Sequence, residues 1–362
     1  MLSIVLTMIF TALPADQAHG FAAYRTAPAG SATIHTTQIF PDAGSGLRPQ
    51  VESGLRQISQ LCGGLDSVLR LHVAVAPGVN TNELIEILQK AFPDQAKRPS
   101  LTLVESSIEK PGVKMAFDAI TIATKNESKP GESAILAPNG RIDIAGQAEK
   151  GDGTLTGATT ATLESLERTL KFLGSDKSRV VLVKAFYKPP GEAEKVRKAV
   201  ADFFGGQSPP LVLVEWTMAQ PVEIEMVAST GANTPTGLRY LTPPGMTTSP
   251  VYSRTAIAQG KFETIYTSGL TAPANTPEIS QAKPIFEQLK QILDETKSDM
   301  KHLTKATYYV SKPNANKSLD TIRPTLYDPK RPPTASKAGV TNVIPGEGRG
   351  VTIDMIAVRF LD

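Results

Sequence analysis

Hydrophobic positions along this chain follow two rhythms, and the rhythms alternate in a fixed order. Over 279–296, Ile285, Phe286, Leu289, Ile292 and Leu293 take the three/four spacing of an amphipathic helix. Residues 303–310 form a β-rich run closed by Lys312-Pro313. A second helix is predicted over 314–326, with Asn314 as its N-cap. Strands are predicted at 338–344 and 351–359, joined by a Pro-Gly-Glu-Gly turn. Two strands within 254–268 stand ahead of these and end in Thr267-Ser268-Gly269. The segment therefore reads β-β-α-β-α-β-β.

The same order occurs twice more upstream. The first copy has a strand at 32–40, a helix at 50–61, a strand at 68–76, a helix at 80–92, and strands at 101–105 and 113–123. The second has strands from Ile135 to Gln147, helices at 158–173 and 192–204, and strands at 179–187, 211–216 and 222–228. Landmarks keep step. Pro77, Pro189 and Pro313 follow the middle strand of each copy. Arg98-Pro99, Pro209-Pro210 and Pro332-Pro333 precede each penultimate strand. An internal repeat of this kind fixes the architecture before any motif does. The expected units are 21–124, 133–230 and 250–362, with 231–249 as a Gly/Pro/Thr-rich linker.

Composition narrows the class. The chain is 40% hydrophobic and 20% charged, as globular proteins are. A formal charge of +3, scattered along 362 residues, gives no basic stripe for nucleic acid. The single cysteine, Cys62, excludes a disulfide framework and reads as a small buried hydrophobe. The four histidines lack metal-ligand spacing, so no metal or cofactor is expected. An apolar run at the start, within 1–20, has small residues Ala18 and Gly20 before a cleavage point but no basic n-region. An exported protein and a retained, cytoplasmic N-terminus both stay open. No other stretch could span a membrane.

The third unit resembles the RidA (YjgF, endoribonuclease L-PSP) family. Tyr252-Ser253, Thr267-Ser268-Gly269, Arg331-Pro332-Pro333 and the ending Ile353-Asp354-Met355-Ile356-Ala357-Val358 carry the resemblance. Ile144-Ala145-Gly146-Gln147 and 222–228 carry it in the second unit, and the first unit matches least. The resemblance implies an α+β, chorismate-mutase-like fold in each unit, and homotrimers with ligand clefts between subunits. Three tandem units would then form an intramolecular pseudo-trimer, a monomer that supplies its own ring. Each sheet's apolar inner face needs such a partner.

The resemblance also implies a chemistry, the hydrolysis of enamines and imines such as 2-iminobutanoate and 2-iminopropanoate. An Arg in the penultimate strand clamps the substrate carboxylate, and a Glu in the last strand handles protons through a water. Here the Arg position falls on Leu101, Leu211 and Ala335, and the Glu position on Ala116, Glu223 and Thr352. Only Glu223 keeps its group. Lys337 lies two residues beyond Ala335, on the same strand face, as a substitute cation or a solvated strand end. Glu223 is either a site carboxylate or an exposed one. Tyr252, Arg254, Ser268 and Gln147 are further ligand-binding candidates; Arg254 also reads as a surface residue. Of Tyr308 and Tyr309, one is expected in the core. Trp216 is expected in the core or an interface.

The expected function is binding of a small carboxylate or imine-like metabolite between the second and third units, with the deaminase positions degenerate. An active deaminase using another cation is one alternative. The ribonuclease activity that the family name suggests is a second, against which the weak charge and absent His pairs argue, and a structural or partner-binding module is a third.

Overall fold

The structure is a computed structural model describing residues 19–44, 46–124, 128–346 and 348–361. The N-terminal run expected as an export signal lies outside these residues, save His19 and Gly20. Among the described residues no helix is long and apolar enough to cross a membrane.

The first part of the chain gives β1 (Tyr24–Ala27), β2 (Thr33–Thr36), α1 (Leu47–Cys62), β3 (Val68–Val75), α2 (Thr81–Ala91), β4 (Ser100–Glu105) and β5 (Met115–Ile122). The middle gives β6 (Ser133–Leu136), β7 (Gly140–Gln147), α3 (Leu155–Phe172), β8 (Val180–Tyr187), α4 (Ala193–Phe204), β9 (Leu211–Glu215), β10 (Val222–Ala228) and β11 (Gly237–Leu241). The last part gives β12 (Thr255–Gln259), β13 (Phe262–Thr267), β14 (Leu270–Thr271), α5 (Ala282–Glu295), β15 (Leu303–Val310), α6 (Pro313–Leu326), β16 (Thr334–Gly339) and β17 (Val351–Phe360). Most predicted elements appear within a few residues of their expected bounds.

Three differences have physical causes. The stretch 231–249, expected as a linker, contains β11, which pairs antiparallel with β12. Helix α6 is capped by Lys312 with Pro313 in its first turn, so Asn314 lies inside the helix. Proline suits that place because its missing N–H would be unbonded anyway. Strand β16 starts four residues before the predicted 338–344 and is not hairpinned to β17. It pairs parallel with β15, on the edge of the sheet away from β17.

Each third of the chain contributes a sheet with two helices on one face. The helix-side cores collect Val51, Leu55 and Leu84 in the first, Leu163, Leu166 and Val196 in the second, and Phe286, Leu289 and Leu319 in the third. The orders are β4-β3-β5-β2-β6, β11-β12-β7-β10-β8-β9 and β1-β13-β17-β15-β16, with β14 also on β17. These sheets do not respect the sequence repeats. The opening strand of the first repeat, β1, joins the third sheet through β13. The second's, β6, joins the first sheet through β2. The third's, β12, joins the second sheet through β7. Each repeat thus completes another's sheet, in cyclic order.

The inner faces were expected to be apolar. They are so only in part. Val104, Phe186, Val212, Trp216, Tyr309 and Val343 form one cluster drawn from all three sheets, which places Trp216 at an interface. Between these apolar patches the centre is ionic. Arg70 pairs with Asp354 of the third sheet, and Lys305 Nζ lies 2.6 Å from Glu225 Oε1 of the second. Arg141 grips Asp143 through two bonds of 2.8 Å. Lys184 donates to the Tyr309 hydroxyl, which lies 3.4 Å from His72 Nε2. His72 Nδ1 is in turn 2.6 Å from Asp118. Burial, the larger influence, holds the His72 pKa down, and Asp118 acts in the opposite sense. Charged groups this deep are tolerated only when paired in this way. Cys62 is buried, as expected. Tyr308 and Tyr309 are both fully buried, Tyr308 against the helices and Tyr309 at the centre.

Candidate functional site

Parity along the penultimate strands decides which residues can face a junction. Leu101 and Leu211 belong to the helix-side cores, and Ala335 packs against the third one. The junction-facing side holds the alternate residues, among them Val212 and Ala338. The aligned Arg positions therefore point away from the clefts. Lys337 shares the Ala335 face, as its spacing predicts, and its ammonium sits 3.1 Å from Asp320 on α6. It is a helix-side residue and does not meet Glu223. Gln147 also faces the helices, donating to Thr169 on α3 at 2.9 Å.

Strand pairing aligns Ile39, Gln147 and Leu270, each opposite the same position of its last strand. The preceding residues are thus equivalent too: Thr37-Gln38, Ala145-Gly146 and Ser268-Gly269. Two of these pairs clamp a neighbouring sheet. Ser268 Oγ accepts from the Leu101 N–H at 2.8 Å and donates to the Ala22 carbonyl at 2.6 Å. The Gly269 N–H donates to the Leu101 carbonyl at 3.0 Å. Thr37 and Gln38 repeat this on Leu211, with Thr37 Oγ1 and the Gln38 N–H donating to its carbonyl at 2.9 and 3.0 Å. The sequence candidate Ser268 is thus a clamp between the third and first sheets.

The second/third junction differs. Ala145 has no hydroxyl, and Gly146 leaves space that the Glu223 side chain occupies; a Cβ on Gly146 would collide with that carboxyl. Strand β10 brings Glu223 there because Val222 and Ile224 on either side point into the helix core. Ser336 of β16 faces it from the third sheet. Glu223 Oε1 and Ser336 Oγ are both buried, and the Ser336 hydroxyl is the side-chain hydrogen-bonding group that bears on the carboxyl, without a well-formed bond between them. Burial pushes the Glu223 pKa up to about 7, helped by Glu225; Ser336, Lys305 and Arg254 act in the opposite sense. Arg254 belongs to the segment between Ser253, bridged to Thr334 of β16, and β12 in the second sheet. Its guanidinium lies 5.0 Å from the Tyr252 ring centre and bonds Thr247 at 2.8 and 3.0 Å. Glu223, Gly146, Ser336 and Arg254 are brought to one junction, with Tyr252 against Arg254. Ser336 was missed by sequence reasoning. Its signal was the strand parity, readable once the strand start was placed at Thr334.

No family model matches the chain, and no curated protein matches it. Parts of it are similar to solved structures. One is a member of the highly conserved YjgF/YER057c/UK114 family from Mycobacterium tuberculosis, 25% identical over 27% of this chain and 84% of that one, with a TM-score of 0.24. Another is a member of the YjgF protein family from Neisseria meningitidis, 26% identical over 29% of this chain and 91% of that one, TM-score 0.24. A third is a conserved Rid protein family member from Yersinia pestis, 21% identical over 26% and 84%, TM-score 0.24. Each spans about a quarter of this chain.

Proposed function

We propose that this chain is a RidA-like small-molecule-binding protein whose three units close into a pseudo-threefold ring. Its working cleft lies between the second and third sheets and takes a small carboxylate or imine-like metabolite. The observation that carries this is Glu223. It is a buried carboxyl seated over Gly146 and opposite Ser336, with no well-formed hydrogen bond at Oε1 among the described residues. Natural structures rarely leave such a group unpaired without a use for it. Arg254 supplies a cation at this junction for a ligand carboxylate, from the opening segment rather than from the penultimate strand. The cyclic exchange of β1, β6 and β12 supports the ring, because tethering makes each encounter intramolecular.

The Glu missing from two of the three junctions supports loss of turnover. At the first/second and third/first junctions the Glu position holds Ala116 and Thr352, and the clamps of Thr37 and Ser268 hold the sheets together. Those two junctions serve structure. One observation favours a second reading, residual imine hydrolysis: a carboxyl titrating near neutrality suits proton transfer.

Calorimetry with 2-oxobutanoate, a stable stand-in for the imine, tests the main reading. Binding is expected, weakened at least tenfold by Glu223→Gln and by Arg254→Met and unchanged by Lys337→Met. No binding up to millimolar ligand, or binding indifferent to the first two changes, rejects it. Turnover of 2-iminobutanoate that disappears in Glu223→Gln establishes the second reading instead.

A further inference from the structure

The three inner faces enclose a cavity of about 30 Å³, distinct from the Glu223 cleft. We propose that it binds a small inorganic monoanion of chloride size. Four cations line it: Arg70, Arg141, Lys184 and Lys305. The lining carboxylates are two, Asp118 and Glu225, each already engaged, by His72 at 2.6 Å and by Lys305 at 2.6 Å. Asp354 and Asp143 balance Arg70 and Arg141 but do not line the cavity. Cations therefore outnumber carboxylates four to two on the cavity wall.

Unused hydrogen-bonding capacity points the same way. Among the described residues Arg70 Nε is a buried donor without a partner, against one lining acceptor, Glu225 Oε2. Lys184 uses one of its three N–H bonds, on Tyr309. Donors in excess suit a ligand that only accepts. A cavity this size has room for about two waters or one such ion. Its origin is visible in the repeat. Arg70, Leu182 and Lys305 are equivalent by strand register, opposite Ile120, Val227 and Ile356. Two carry long cations; Leu182 is shorter and leaves the space. Arg141 also lines a second cavity of about 20 Å³ beside Gly30, Ser31, Pro138 and Asn139, at the turns that follow β1 and β6.

The test uses the full chain, prepared without halide. Crystals soaked in bromide are expected to show an anomalous peak among Arg70, Arg141 and Lys184. Thermal unfolding in chloride or bromide is expected at higher temperature than in gluconate of equal ionic strength, since a ligand of the folded state stabilises it. Leu182→Phe, which fills the space, and Lys184→Met, which removes a cation, are each expected to weaken the halide effect at least tenfold in apparent affinity. Water alone in the cavity after bromide soaking, or a halide effect undiminished in both variants, overturns the proposal.

Discussion

Glu223 is the residue where the chain departs most from simple packing rules. Its carboxyl titrates near 7 in the folded protein and near the ordinary carboxylate value when unfolded. The folded state therefore holds an extra proton between those values, and its stability falls as pH rises from about 4.5 to about 7. Glu223→Gln removes that loss. Urea unfolding at pH 5 and pH 8 is expected to show the variant gaining on the wild type by about 1–3 kcal/mol at the higher pH. A difference independent of pH would mean that Glu223 does not titrate in this range. Asp118 and Asp143 act in the opposite sense. Although burial raises them, their partners His72 and Arg141 hold them below the usual carboxylate range, so their contribution is lost as pH falls. Gly146 belongs with Glu223. Gly146→Ala is expected to cost about 1–3 kcal/mol through overpacking, and Glu223→Ala in the same chain should recover most of it. Equal costs in both backgrounds would show that the collision is not with this side chain.

Among the elements, the helices and middle strands were legible. Their apolar periodicity is local, and burial on one face enforces it. Strand β16 was not. Thr334, Ala335 and Ser336 carry no β-rich signal, and what makes them a strand is parallel pairing with Lys305, Ala306 and Thr307. Misplacing its start by four residues concealed Ser336 as a junction residue. Clamps join the elements across sheets. Ser268→Ala removes a buried hydroxyl that serves Leu101 and Ala22, and should lower stability by about 1–3 kcal/mol. Chemical denaturation measures this, and a change below a few tenths would show that water replaces the hydroxyl.

For the whole molecule, the ionic centre matters most. Breaking the Arg70–Asp354 pair by Arg70→Met strands a buried carboxylate, with an expected cost of about 3–5 kcal/mol. The double change Arg70→Met with Asp354→Leu should be much less costly, because no charge is left unpaired. Denaturant midpoints for the four proteins give the coupling; additive losses would mean that the two charges do not act as a pair. The repeated order of elements was fixed by local pattern and residue identity. Which strand completes which sheet, which face of β16 meets a neighbour, and how Arg70 finds Asp354 depend on contacts between residues hundreds of positions apart. Side-chain alternation specifies a face but not its partner, and only the closed packing of the three sheets supplies that partner.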